Sequence, residues 1–506
     1  RLLGIRSSSS LSGSSSSYEE NLRQRRELLS PGLISYYANP LYIVRGSRQW
    51  LWDHTGRKYL DMFGGICTVS VGHCHPKVNS ALAAQSEQLW HTTSIYMSPA
   101  PQAYAKKLTA KLPPKLSVCY FTNSGSEAND LAVLMARLYT RRWEVVTLRN
   151  GYHGASPFLM GATALSTWRY ATPTGFGFVN AAHPDPYRGE WGGAACRDSD
   201  AQPGRSCDCQ QVLVPGEAAV TREGHGGSPD VSAREAQEEL PELVRGLRDS
   251  ASGLPAVRPV EPVVKCDPET SGLVREGNIS AVELQRTEFQ TIVIGPGFCF
   301  ADKALHQIPE RAGRRSCHNG RDVISRLGSH YWGFEAHGVE PDIVTMAKSI
   351  GNGFPLAAVV TSPEVARTLA EALHFNTFGG NPLACAVGSA VLDVIDEEKL
   401  QENCQRVGQR LLSGLQRIRQ SNQLIGDVRG KGLMVGVELV ADRASRAPLE
   451  APRMARLFEA TREAGVLVGK GGFYGNVLRL QPPMCVTEAD ADATVEAIGE
   501  AIKAAN

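Results

Sequence analysis

"SVCYFTNSGSEANDLAVLMARLYTR", residues 117–141, changes its periodicity partway through. The opening "SVCYFT" is a short apolar run with β-branched and aromatic side chains, which reads as a strand. Beyond it, apolar residues recur at 128, 131, 132, 135 and 138, the spacing of one helix face. Ser124-Gly125-Ser126 forms the junction. Ser124 and Glu127 have capping-box spacing, and Gly125 allows a ligand close to the backbone. Free N–H groups and the positive end of the helix dipole would meet at one spot, which suits a phosphate. A capped helix without a ligand has the same pattern, so this motif alone leaves both readings open.

Working outward, "EVVTL" is the next strand, and "NGYHGAS" sets Tyr152 and His153 between glycines after it. A flat aromatic at a strand end can stack on a planar ring, though aromatics between glycines also occur in plain turns. Upstream, "HPKVNSALAAQSEQLW" and "PQAYAKKLTAKL" read as amphipathic helices, the second with Pro101 near its first turn. Helices alternating with short strands are the mark of a layered α/β architecture.

"PDIVTMAKSIGNGFP", residues 341–355, reads as a strand through Lys348 followed at once by glycines. Lysines normally occupy the surface. Either Lys348 snorkels to water or it is there to carry a bond. A lysine stripped of water gives up its proton more readily, and the free amine attacks a carbonyl. Phosphate, planar ring and aldehyde come together in pyridoxal phosphate, whose ring nitrogen also needs a carboxylate partner.

Composition narrows the alternatives. With 53 basic and 52 acidic residues the net charge is +1, so no acidic polymer or membrane surface is called for, and small molecules are the expected partners. The 506 residues, 42% hydrophobic, can bury a large core, and no apolar run approaches the ~20 residues of a membrane span. Twelve scattered cysteines do not form a disulfide framework, and the Cys207/Cys209 pair lacks the second pair a zinc site needs. We expect no metal. Residues 1–34 open Ser-rich and basic, as in a mitochondrial transit segment or a disordered tail.

The sequence from about 210 to 325 is rich in Gly, Pro and charge, without regular periodicity, and reads as loop or poorly ordered. Beyond it, "AAVVTS" is a strand and "PEVARTLAEAL" a helix. "NPLACAVGSAVLDVIDEE" is a helix capped by Asn381, "QLIGDVRGKGLMVGVELV" two strands around a glycine turn, and the C-terminus a last helix. The expected organisation is a segment 35–75 packing with a small domain, a large domain 76–384, and a smaller α/β domain 385–506.

"GHCHPKV", "NSGSEAN", "GYHG", "DIVTMAKSIGNGFP" and "NTFGGNP" stand in the order found in class III, fold-type I, pyridoxal-phosphate aminotransferases, and the chain resembles that family over about 35–209 and 325–500. The resemblance implies a large domain with a mainly parallel central sheet flanked by helices, plus a smaller C-terminal domain. It implies that Lys348 bonds the cofactor aldehyde and that Ser124, Gly125 and Ser126 cradle the phosphate. Tyr152 would stack on the ring, with His153 beside it. Thr377 would reach a phosphate across a dimer interface, and Arg479 in "NVLRLQPP" would pair with the substrate carboxylate. Without the resemblance, Arg479 would read as an exposed strand-end cation.

The implied reaction is ping-pong transamination. Alanine, or a β-amino acid such as 3-aminoisobutyrate, gives its amino group, and glyoxylate or pyruvate accepts it, in a mitochondrial homodimer or dimer of dimers. An ω-aminotransferase, a phospho-lyase and a catalytically impaired relative are the alternatives.

The family's two central motifs before the lysine are missing. Of the second, only Ala301-Asp302 matches, with Lys303 where an acid is expected, and Asp302 is the candidate partner of the ring nitrogen. Replacing those middle strands would leave their neighbours unpaired. The stretch resembles translated intron more than an evolved insertion.

Overall fold

The computed structural model describes residues 17–33, 35–181, 185, 187–188, 292–295, 315–319, 326–337 and 340–505. Its centre is a seven-stranded sheet. In spatial order the strands are Val118–Thr122, Ala357–Thr361, Ile343–Met346, Arg315–Asn319, Ile292–Gly295, Val145–Leu148 and Phe178–Ala181. Ala357–Thr361 runs antiparallel to both neighbours, and the other strands run parallel.

Two strands of this sheet, Ile292–Gly295 and Arg315–Asn319, come from the stretch expected to be loop. They pair with each other, with Val145–Leu148 and with Ile343–Met346, so the sheet has no gap in its middle. This corrects the expectation of unpaired neighbours: backbone pairing needs N–H and C=O groups in register, which a segment of unfavourable composition still supplies. Asp302 lies outside the described residues.

Burial on both faces explains why the central strands are apolar throughout. Along Ala357–Thr361, Ala358 and Val360 join one core while Ala357 and Val359 join the other, as period-two alternation requires. The helix Gly125–Thr140 covers the second face with Ala128, Leu131, Ala132 and Met135. The helix Pro382–Glu397 covers the first, and the Asn381 side chain caps it by accepting from Ala384 N at 2.9 Å.

Downstream, Ile425–Lys431, Met434–Asp442, Val477–Leu480 and Gly469–Gly471 form an antiparallel sheet. The helix Leu400–Ser421 packs on it through Cys404, Val407, Leu411 and Leu415, spaced three and four residues apart. The N-terminal strands Ile43–Ser47, Trp50–Asp53 and Lys58–Asp61 make a smaller sheet, completed in parallel by Val466–Leu467.

Candidate active site

Strands running parallel open their carboxyl ends on one side, and that side is where α/β sheets hold ligands. Thr122, Met346 and Leu148 end three such strands, and Ser124, Lys348 and Tyr152 follow them directly.

Ser124 is the N-cap of Gly125–Thr140, its Oγ accepting from Glu127 N at 3.2 Å. The return half of the expected capping box is displaced by one residue. Glu127 Oε2 accepts from Asn123 N at 2.9 Å, and with Glu127 N taken by the cap, the N–H groups of Gly125 and Ser126 remain at the helix end. The loop 150–156 is sewn to this helix: Ala155 N donates to Ser126 Oγ at 3.3 Å, Asn129 Nδ2 to His153 O at 2.6 Å, and Ser156 Oγ to Asp130 Oδ1 at 2.8 Å. Gly154, at φ +139°, makes this approach feasible, because a Cβ there would lie 2.9 Å from Ser126 Oγ. Tyr152 is 37% exposed and meets Trp168 edge-on at 5.6 Å, whereas His153 is fully buried.

Thr377 reaches the same corner through its neighbours. Asn376 Nδ2 donates to Glu127 Oε2 at 3.1 Å, and Asn376 Oδ1 accepts from Asn123 Nδ2 at 3.0 Å. A Cβ on Gly379 would lie 2.2 Å from Phe121 O, so the 376–380 loop presses on the end of the first strand. Asn123, Glu127 and Asn376 thus tie the helix N-terminus to the "NTFGGNP" loop. Sequence reading missed this triad because Asn376 lies 253 positions from Asn123 and 249 from Glu127.

Lys348 differs from expectation in one respect. The strand stops at Met346, and Lys348 opens a tight 3-10 turn, Lys348–Gly351, with φ at +52°. It is partly buried, while Ser349, Ile350 and Gly351 are buried. Left-handed backbone costs a non-glycine residue roughly 1–2 kcal/mol, so neighbours must impose it. Ser349 Oγ donates to Cys67 O at 2.7 Å, and Ser70 Oγ donates to Ser349 O at 2.7 Å. Asn352 Oδ1 accepts from Val71 N at 3.0 Å, and Asn352 Nδ2 donates to Gly72 O at 3.0 Å. Buried hydrogen bonds contribute about 0.5–1.5 kcal/mol each, so these four outweigh the strain.

The strap they hold, 64–73, begins with an unusual turn: Gly64, Gly65, Ile66 and Cys67 all have φ between +55° and +63°. Asp61 Oδ1 caps it by accepting from Phe63 N at 3.0 Å and Gly64 N at 2.9 Å, and Asp61 Oδ2 pairs with His73 Nε2 at 2.7 Å.

Arg479 stands on the antiparallel sheet beyond this strap, half-buried and not the exposed cation its sequence alone suggested. Its Nη2 donates to Gln481 Oε1 at 2.9 Å, and the Cys67 thiol donates to the same oxygen. Burial pushes the Tyr36 phenol up, opposed by the Arg479 charge. Strap, lysine turn and arginine therefore share one hydrogen-bonded neighbourhood. Among the described residues no cluster of side chains could hold a metal ion.

A helix N-terminus, a glycine-lined loop with an aromatic, a lysine turn and a half-buried arginine fit a phosphorylated aromatic aldehyde and an amino acid. The chain belongs to the class III aminotransferases, whose family model matches residues 35–198 and 324–502, and these are pyridoxal-phosphate enzymes of fold type I.

Among its relatives, "Alanine--glyoxylate aminotransferase 2, mitochondrial" of Homo sapiens is 41% identical over 489 residues, covering 96% of this chain and 86% of the relative. The Arabidopsis thaliana "Alanine--glyoxylate aminotransferase 2 homolog 2, mitochondrial" is 40% identical, covering 94% and 86%. Among solved structures, a phospholyase from Arthrobacter in complex with phosphoethanolamine superposes with a TM-score of 0.71 at 25% identity, covering 96% of this chain and 99% of that one. An amine transaminase from an uncultivated Pseudomonas species, in its PLP-bound form, gives 0.71 at 25%, covering 95% and 99%.

Proposed function

We propose that this aminotransferase moves the amino group of alanine, and of β-amino acids such as 3-aminoisobutyrate, to glyoxylate or pyruvate in a ping-pong sequence, as a mitochondrial homodimer. The carrying observation is that the Ser124 helix and the Lys348 turn open on the same side of the sheet, flanking Ala357–Thr361. The names of the human and Arabidopsis relatives support the substrates and the compartment.

When bound, pyridoxal phosphate supplies an aldehyde and an electron-withdrawing ring. The N–H groups after Ser124, with Gly125 and Ser126, would hold its phosphate. Tyr152 flanks its ring, with His153 buried behind the loop. Lys348 Nζ would hold the aldehyde and, once freed by the amino donor, would take the donor's Cα proton as base and deliver it to the cofactor's carbon as acid. Arg479 fixes the donor carboxylate through its planar fork. Asp302, on the sequence match alone, is the carboxylate for the ring nitrogen.

An exposed apolar surface supports the dimer. Trp90, Ile95, Tyr96 and Met97 are 66%, 81%, 67% and 94% exposed, and Phe375 and Phe378, on either side of Thr377, are each 60% exposed. The two groups adjoin through His91 and Phe378, 5.5 Å between rings. Patches of this kind mark interfaces, and a second copy docked here would bring Thr377 toward the partner's phosphate.

Borohydride reduction followed by peptide mapping should tag Lys348, and the protein should convert alanine plus glyoxylate to pyruvate plus glycine. Phosphate release from phosphoethanolamine without transamination, or a tag on another lysine, would overturn the reading.

A further inference from the structure

We propose that Ser349 and Asn352, clasping Ser70 and the strap 64–73, are positioning residues that hold Lys348 in its left-handed backbone and so set its amine for bonding and proton transfer. The inference rests on the reading of Lys348 as the cofactor-bearing lysine.

The turn leans on a distant segment. Two of its backbone bonds, Ile350 N to Ala347 O at 3.4 Å and Asn352 N to Ser349 O at 3.3 Å, are long, although Phe354 N reaches Gly351 O at 2.8 Å. The strong contacts come from a segment about 280 positions earlier. Both side-chain and main-chain oxygens of Ser349 are engaged at 2.7 Å, by Cys67 O and Ser70 Oγ. The Asn352 amide spans Val71 N and Gly72 O at 3.0 Å each, using its acceptor and its donor together. Ser70 and Ser349 are 0% and 1% exposed, so water cannot replace a lost partner.

Asn352 is itself left-handed, at φ +47°. Two left-handed residues therefore bracket the turn, with the clasp attached between and at them. The strap in turn is fixed from behind, by the Asp61–His73 pair and by Arg326 Nη2 donating to Val69 O at 2.6 Å. Releasing the clasp would let the Lys348 backbone relax toward right-handed geometry, swinging its side chain away from its place. A purely structural serine would only lower stability. A positioning serine changes the chemistry of the neighbouring amine.

The test uses Ser349→Ala, Asn352→Ala and the hydroxyl-retaining Ser349→Thr, each with three readouts. The first is the pH midpoint of the bound cofactor's absorbance. The second is the reactivity of the Lys348 amine in the cofactor-free protein, measured by competitive acetylation and mass spectrometry against exposed Lys503. The third is kcat and donor KM.

We expect Ser349→Ala and Asn352→Ala to move the absorbance midpoint by at least half a pH unit and the Lys348 labelling rate at least threefold. We expect kcat to fall at least tenfold with KM within threefold, and Ser349→Thr to restore all three. If both alanine variants keep wild-type midpoint, labelling and kcat, or lose thermal stability alone, the proposal is overturned. Should Ser349→Ala give no soluble protein, Ser70→Ala, which removes one bond of the same clasp, is judged by the same criteria. Failure of the underlying reading is separate, since it would show in the wild type as a borohydride tag away from Lys348.

Discussion

Replacing Gly154 by alanine tests whether the aromatic loop is pressed against the helix Gly125–Thr140 as described. At φ +139° the backbone is one that side chains rarely adopt, which costs about 1–3 kcal/mol. The new Cβ would lie 2.8 Å from Leu159 Cδ1, 2.9 Å from Ser126 Oγ and 3.2 Å from Ser126 Cα. Leu159 is fully buried and cannot swing into water, so overpacking adds roughly 1–3 kcal/mol.

The easiest relief is to lift the loop from the helix, breaking the Ala155–Ser126 hydrogen bond and carrying Tyr152 and His153 with it. If about 2 kcal/mol of the total appears in cofactor binding, affinity falls about 30-fold, since each 1.4 kcal/mol is tenfold. Titrating cofactor-free protein with pyridoxal phosphate, alongside urea unfolding of the same preparation, measures both terms. Gly175→Ala is the control, because nothing lies within 4 Å of the added carbon. Binding by Gly154→Ala within threefold of wild type, with an unchanged urea midpoint, would refute the packing argument.

Other outcomes follow from the same structure. Arg479→Lys keeps the charge but loses the planar fork, so donor KM should rise at least tenfold with a smaller change in kcat; a normal KM from steady-state kinetics would remove Arg479 from the carboxylate role. Burial alone would raise the Glu398 carboxyl pKa, but hydrogen bonds from Arg48 and His75 win and leave it below 4.5. A depressed folded value means stability present above about pH 4.5 and lost as pH falls through the folded pKa, so urea midpoints of Glu398→Gln should be lower at pH 7 and flatter between pH 5 and 3. Burial pushes the Cys119 and Cys385 thiols up to about 12 and that of Cys485 up to about 11, whereas Cys74 is exposed. Iodoacetamide at pH 8 should alkylate Cys74 in the folded protein and reach the other three after unfolding, as mass spectrometry of the peptides would report.

Where local patterns decide conformation, the sequence was readable. The change of period at Ser124 placed strand, cap and helix correctly, because capping and one-sided burial act within a few residues. The four left-handed residues Gly64–Cys67 were not, since Ile66 and Cys67 have no preference for that geometry and receive it from nearby Asp61 together with Ser349 and Gln481 far along the chain. The left-handed Lys348 was hidden for the same reason, and an apolar run ending in lysine read as unbroken strand. "TIVIG" gave no warning of a central strand either, because it is short and its neighbours are rich in turn-forming residues. Arg479 needed its tertiary setting, as a strand-end arginine has no local mark of what it faces.

Between the strand that leads to Ser124 and the strand that leads to Lys348 runs one antiparallel strand, paired Ala357 to Thr122 and Ala358 to Met346. The return stroke after the lysine is thus the spacer itself, and it sets the two flanking backbones about 10 Å apart, two strand separations. Pairing that shifted by one position would turn both ends to opposite faces at once. The sheet therefore fixes how far apart the serine-bearing and lysine-bearing chain ends stand, before any side chain has made contact.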